Sequence, residues 1–251
     1  LLLEQLGELP ALVGVGVGPG DPELVTLKAC RVLAASDVIL VPSTEASGPG
    51  AGRAETIVSA AVPEAADRIV RVPFVMGDRS GITRRRSEAW DASARAALEA
   101  FATGARTVSF ATVGDPSVYS TFSYLAASVV ARRPDVAIEV VPGITAMQSL
   151  AAASRTPLVE GDEVLALVPL KGGVERFAEL AAVADTCVVY KSGRHVAALR
   201  EQLGGRAADA VVGIDVGLPG ERIVPLAEVE GAPYFTTVLV PARRGPIGGR
   251  L

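Results

Sequence analysis

The chain is short of the residues that most often announce a site. It has one histidine, His195, two cysteines, Cys30 and Cys187, and a single tryptophan among 251 residues. One imidazole and two distant thiols cannot build a four-ligand zinc centre, so no protein-bound metal is expected. Two cysteines cannot make a disulfide framework. Each falls in an apolar pattern, Cys30 in a helix and Cys187 in a strand, so both read as buried thiols in a reducing, cytoplasmic setting. No apolar run reaches the ~20 residues of a membrane helix. The opening LLLEQL lacks a basic flank and a full apolar core, so it does not read as a signal peptide, and the initial Leu suggests that the numbering starts past the true first residue. Lysine is scarce as well: Lys28, Lys171 and Lys191 are the only three among 24 basic residues. The net charge of -4 gives no general attraction to nucleic acid. Arginine, whose planar fork suits carboxylates, is what the chain has for holding anions.

What is plentiful is glycine (26) and proline (17), in a chain that is 49% hydrophobic. Strand-like and helix-like stretches alternate. Strands are expected at 11–18, 38–42, 68–74, 105–116 (running into a turn) and 136–143, and helices at 23–37, 54–62, 81–103 and 119–130. Trp90, Ala94, Ala97 and Phe101 form one stripe of the third helix. This alternation implies an α/β domain with a largely parallel sheet. Shorter units follow, with strands in EVLALVPL, TCVVYK, DAVVGIDVG and YFTTVLVP and helices in GVERFAELAAV and RHVAALREQL. A Pro-Gly break at VVPGITAMQS places a domain junction around 138–145, dividing the chain into domains 1–140 and 141–251.

The stretch GVGVGPGDPELVTLKA, from Gly14 to Ala29, looks like a nucleotide loop and fails as one. A dinucleotide fingerprint needs G-x-G-x-x-G. Started at Gly14, Gly16 or Gly18, the last position falls on Pro19, Asp21 or Glu23. An acid beside a helix start repels a pyrophosphate. Asp37 mimics the ribose acid of that motif but is discounted without the last Gly. The residues have another logic. Pro19-Gly20 suits a tight turn, with Gly free to take positive φ; Asp21 sits where an N-cap belongs, and Pro22 fits the first helical position. Gly114-Asp115-Pro116 repeats the device after another buried strand, and VPGIT (141–145) follows the next. Three such turns on the carboxyl edge of a parallel sheet favour a ligand held by backbone groups. Two acids there favour a cationic or hydroxyl-rich ligand over a phosphate, and S-adenosylmethionine has that chemistry. A plain strand–turn–helix with Asp21 and Asp115 as caps is the other reading of the same residues.

With VGVGPGDPELVTLKACRVLAASDVILVPS, GDPSVYSTFSYL and EVVPGITAMQSLAAA on the page, the chain resembles the tetrapyrrole methylase family from about Leu12 to about Pro241. The resemblance implies a bilobal fold of two α/β domains with a cofactor cleft between them, S-adenosylmethionine as methyl donor, and a tetrapyrrole substrate. A homodimer is common in the family. DVILVP, TPLVEGDEVLALVP and PYFTTVLVP resemble the branch that methylates C-20 of precorrin-2 in cobalamin biosynthesis. Methylation of another corrinoid intermediate, such as cobalt-factor II, and a non-enzymatic adenosine-ligand protein are the alternatives.

Carried over residue by residue, the family's cofactor contacts fall on Pro19, Val113, Gly114, Asp115, Val118, Thr145, Ala146, Lys191, Gly217, Thr236 and Thr237. Lys191 departs from the Met that the family often has there, which puts one adenosine-side contact in question. Gly20, Asp21, Ser43, Arg53 and Tyr119 fall on the substrate side. Arg71, Arg79 and the RRR run at 84–86 are further candidates for an acidic substrate, or else solvated faces. His195 reads as a surface or capping residue, and no side-chain base is identified.

Overall fold

The computed structural model describes residues 9–43, 50–75, 83–170, 173–233 and 235–245. Arg79, Lys171 and Tyr234 lie outside the described residues. The chain divides into two compact units, Leu1–Thr145 and Ala146–Leu251. The VPGIT turn therefore belongs to the first unit.

In the first unit the order is β1 (Ala11–Gly16), α1 (Leu27–Ala35), β2 (Val38–Ser43), α2 (Arg53–Ala61), β3 (Ile69–Pro73), α3 (Arg84–Ala102), β4 (Thr107–Thr112), α4 (Phe122–Val130) and β5 (Ala137–Val141). Its five described strands lie in the order β3-β2-β4-β1-β5, every pair parallel. Every residue of β1 is buried, as a central parallel strand covered on both faces requires. Val13 and Val15 pack with Val32 and Leu33 of α1 and Ile57 and Val58 of α2. Leu12, Val108 and Phe110 pack with Ala97 and Phe101 of α3 and with Phe122, Leu125 and Val129 of α4. Each fully buried Val, Leu or Phe stabilises the fold by about 1.5–3 kcal/mol. Gly14 is glycine because a Cβ there would stand 2.6 Å from the Phe122 ring.

Several sequence expectations shift. The helix expected at 23–37 is split. Asp21 accepts from Glu23 N at 2.8 Å and caps a 3-10 turn, Pro22–Leu24, while α1 starts four residues on with Thr26 as N-cap, its Oγ1 accepting from Ala29 N. Two N-cap-type residues five apart each start a turn. In the glycine loop, positive φ falls on Gly18 (77°) and not on Gly20. The last helix of the unit begins at Phe122, three residues later than expected, because Tyr119 has left-handed backbone (φ 53°). Trp90 is half-buried and stacks on Tyr124 (ring centroids 4.2 Å apart), while Ala89 and Ser93 join the buried stripe. Asp37 accepts from Arg106 N (2.8 Å) and Thr107 N (2.9 Å), tying the start of β2 to the start of β4. It thus serves the amino edge of the sheet, opposite the loops.

The second unit runs α5 (Ala146–Ser154), β6 (Leu165–Pro169), α6 (Glu175–Ala181), β7 (Thr186–Tyr190), α7 (Val196–Leu203), β8 (Val211–Ile214), β9 (Arg222–Pro225) and β10 (Thr236–Val240). Its described strands lie in the order β6-β7-β10-β8-β9. Only β6 and β7 pair parallel; β10 is antiparallel to both β7 and β8, and β9 to β8. Helix α5 and strand β9 are absent from the sequence expectations. Phe177, Val189, Leu199, Val212 and Val238 are central in the main core, and Leu150, Val188 and Leu239 in a smaller one. His195 ends a 3-10 turn ahead of α7, and its side chain makes no capping bond. Arg244 ties residues near the chain end to the loop after α5, giving Glu163 two hydrogen bonds (2.6 and 3.0 Å) and Pro157 O one (3.1 Å). Among the described residues no helix is long and apolar enough to cross a membrane.

Candidate functional site

The carboxyl ends of β4, β1 and β5 are neighbours, so the three turns read from the sequence meet on one edge of the first sheet. They are bonded to one another. Gly114 N donates to Gly18 O at 2.7 Å, joining the first turn to the second. Gly143 N donates to Asp115 Oδ2 at 2.8 Å, joining the second to the third. Asp115 Oδ1 accepts from Ser117 N at 2.7 Å and from the Ser117 hydroxyl. Asp115 is only 8% exposed. Burial pushes its carboxyl up, but the Ser117 hydroxyl, Gly143 N–H and Ser117 N–H outweigh that and hold it below the usual aspartate value. The carboxylate is therefore an ionised staple.

The packing under the staple leaves no room for side chains. A Cβ on Gly16 would stand 2.6 Å from Gly114 O and from Gly143 N, and one on Gly143 would stand 2.2 Å from Gly114 O. Gly114 differs: its φ is 75°, and a Cβ there would meet nothing nearer than Thr145 Cα at 3.8 Å. Gly114 is itself buried, with its N–H given to Gly18 O and the buried Thr145 beside it, so the space at its Cα is local. Pro19 and Gly20 are buried in the first turn, and Val113 and Val118 are half-buried on either side of Asp115. Val118 N donates to Asp115 O at 3.2 Å, closing the turn.

The predicted substrate-side residues are less concentrated. Asp21 is half-buried beside the first turn, Ser43 ends β2 and Arg53 starts α2. Arg71 spends its fork on Glu55, with bonds of 2.7 and 2.8 Å, and lowers that carboxyl's pKa. Arg84 pairs with Glu88 at 2.8 Å. A small pocket lined by Pro42, Pro73, Phe74, Trp90, Phe110 and Thr121 lies at the ends of β2 and β3, and none of the predicted site residues lines it.

The second unit gathers its predicted residues on one strand edge of its own. Antiparallel β10 sets Thr237 opposite Tyr190 and Thr236 opposite Ile214, so the start of β10 lies between the ends of β7 and β8. Lys191 follows β7 directly, with φ 59°. Ser192 Oγ donates to Thr236 O at 3.1 Å, and Thr236 Oγ1 donates to Pro233 O at 2.7 Å. Met147 N donates to Tyr190 Oη at 3.1 Å, which brings the first turn of α5, with Ala146, to the same edge. Gly217 (φ 78°) follows β8, and its N–H is taken by Glu221 Oε2 at 2.7 Å. Of its backbone polar groups, the carbonyl is the one that bond leaves for a ligand. Glu221 and the left-handed backbone of Asp215 (φ 49°) were not anticipated, since neither carries a sequence signal of its own. Among the described residues no group of three or more His, Cys, Asp and Glu side chains is placed to hold a metal ion.

Two α/β units whose predicted residues collect at strand edges, with a stapled Gly-Asp-Pro turn where a phosphate loop would sit, define the class as an α/β protein without a nucleotide phosphate loop. The chain belongs to the Tetrapyrrole (Corrin/Porphyrin) Methylases, whose family profile matches residues 11–230. It is 36% identical over 240 residues to a precorrin-2 C(20)-methyltransferase of Sinorhizobium sp, covering 92% of this chain and 94% of the relative. It is 27% identical to a cobalt-precorrin-2 C(20)-methyltransferase of Salmonella typhimurium, covering 91% and 95%. Among solved structures it resembles a uroporphyrin-III C-methyl transferase from Thermus thermophilus complexed with S-adenyl homocysteine, with TM-score 0.57, 26% identity, and 91% and 96% of the two chains covered.

Proposed function

We propose that the protein transfers one methyl group from S-adenosylmethionine to C-20 of precorrin-2, as a step of cobalamin biosynthesis. The observation that carries this reading is the identity with the Sinorhizobium relative, which runs through both units. The solved relative with S-adenyl homocysteine supports the donor. So does the first edge, where the ionised carboxylate of Asp115 disfavours a phosphate.

When bound, S-adenosylmethionine supplies a methyl already activated on a sulfonium. The protein's task is then alignment and exclusion of water. Pro19, Val113, Gly114, Val118 and Thr145 hold the cofactor at the first edge, where Asp115 acts by fixing the turns. Ala146, Lys191, Gly217, Thr236 and Thr237 are the second unit's own candidates for cofactor contact. Gly20, Asp21, Ser43, Arg53 and Tyr119 serve the macrocycle, whose carboxylates call for arginine. Arg71, paired with Glu55, drops out of that role. A homodimer in the cytoplasm completes the reading, on the family resemblance and the two unpaired thiols.

The test is an anaerobic incubation with methyl-labelled S-adenosylmethionine and precorrin-2, read by mass and carbon NMR. One added methyl at C-20 is expected. Transfer only to the cobalt-bearing macrocycle would favour a second reading, which the Salmonella relative supports. Binding of the donor with neither macrocycle methylated would sink both.

A further inference from the structure

Four described residues other than glycine have left-handed backbone: Tyr119, Arg155, Lys191 and Asp215. Arg155 has a local reason. It is the residue after the end of α5, where Thr156 N donates to Ala151 O (2.9 Å) and Arg155 N to Ala152 O (3.1 Å), the usual closure of a helix through one left-handed residue. Asp215 is of a residue type that tolerates this region, and its carbonyl closes a turn on Leu218 N. Tyr119, like Lys191 at the end of β7, has neither reason. It follows no helix, and a bulky aromatic in this region is a true outlier, where Gly or Asn would sit with less strain.

The surroundings hold the strain in place. On one side Val118 N is bonded to Asp115 O; on the other, Ser120 Oγ meets Thr112 Oγ1 at 3.3 Å and accepts from Phe122 N at 3.2 Å. The strained residue is clamped between the staple and the start of α4, yet it is 42% exposed. Its burial therefore does not account for a tyrosine at this position. Strain kept by over-determined surroundings beside a ligand edge is a pointer to function.

We propose that Tyr119 determines substrate affinity: its ring forms an aromatic wall against the tetrapyrrole, held out at the edge of the first sheet at a cost to stability. This rests on the methylase reading above. The apolar ring face does the work.

The experiment compares wild type with Tyr119→Asn and Tyr119→Phe in three measurements: thermal unfolding, S-adenosylhomocysteine binding by calorimetry, and KM and kcat with precorrin-2. Direct binding of uroporphyrin III, followed by fluorescence, is run beside them. Tyr119→Asn is expected to raise Tm by about 1–3 °C through relief of strain. It should leave the cofactor Kd within about twofold and weaken KM and uroporphyrin binding about five- to tenfold, the worth of a lost aromatic stack. Tyr119→Phe keeps the ring and should retain uroporphyrin affinity within about twofold. An Asn variant with unchanged KM and uroporphyrin affinity, or with a lower Tm, overturns the proposal, as does one that loses cofactor affinity instead. Wild type that binds uroporphyrin but does not methylate precorrin-2 would sink the methylase reading and leave the Tyr119 comparison to be decided by binding. Wild type that binds no tetrapyrrole overturns both.

Discussion

Replacing Asp115 by Asn tests the staple with shape held constant. The two carboxylate oxygens accept three donors: Ser117 N and the Ser117 hydroxyl at Oδ1, and Gly143 N at Oδ2. An amide has one oxygen. Turned one way, its NH2 faces Gly143 N–H; turned the other, it faces Ser117 N–H. Either way a charge-assisted bond is lost, worth about 1.5–3 kcal/mol, and a backbone donor is left facing another donor, costing about 1–3 kcal/mol more. Partial relaxation brings the expected loss to about 2–4 kcal/mol, a large share of a typical ~5–15 kcal/mol. That is a Tm drop of about 5–12 °C. Urea unfolding at pH 7 reads the difference, and calorimetry with S-adenosylhomocysteine reads its effect on the edge. The sign with pH also follows. The folded carboxyl lies below its ordinary value of 3.8, so the stabilisation is full above that value and is lost as pH falls through the folded one. The gap between wild type and variant should hold from pH 7 to 5 and narrow below about pH 4. An Asn variant within about 0.5 kcal/mol of wild type at pH 7, the range of an ordinary surface change, would refute the reasoning.

Three further outcomes are expected. Gly143→Ala puts a Cβ 2.2 Å from the backbone oxygen of Gly114, which cannot swing aside; it should cost about 1–3 kcal/mol or more and abolish cofactor binding, whereas Gly205→Ala, with nothing within 4 Å, should stay within ~0.5 kcal/mol in the same urea titration. Arg244→Met takes the cation from Glu163, whose side chain is 4% exposed, and leaves it the Glu160 N–H bond at 2.9 Å, so it should destabilise the second unit by about 2–4 kcal/mol, and adding Glu163→Gln should recover part of the loss. Chelators should leave methyl transfer to metal-free precorrin-2 unchanged; lost activity restored by one added metal would contradict the expected absence of a protein-bound metal.

Much of the first unit was legible, because strands buried on both faces read as unbroken apolar runs, as ALVGVG and VSFAT do. The three turns were legible through Gly, Pro and Asp, and the strand order then made them neighbours. What hid were features fixed by tertiary context. Strand β9 is four residues with ends exposed and no alternation. Helix α5 buries only Ser149 and Leu150 among its nine residues, too little to show a stripe. Which glycine takes positive φ depends on the bond from Gly114 N to Gly18 O, which local turn chemistry does not reveal. The engagement of Gly217 N–H by Glu221 likewise needs the folded turn.

The mixed sheet has a consequence for the order of assembly. Strands β1 to β5 can all pair once residue 145 has been made, so the first sheet can close on the growing chain. The second cannot: β10, made after β6 to β9, is the strand that joins β7 to β8. Until it is inserted, a parallel pair and a hairpin wait with unpaired inner edges, each a template for the wrong strand. A nascent chain stalled near residue 230 would thus carry one finished unit and one pair of half-sheets open to misassembly.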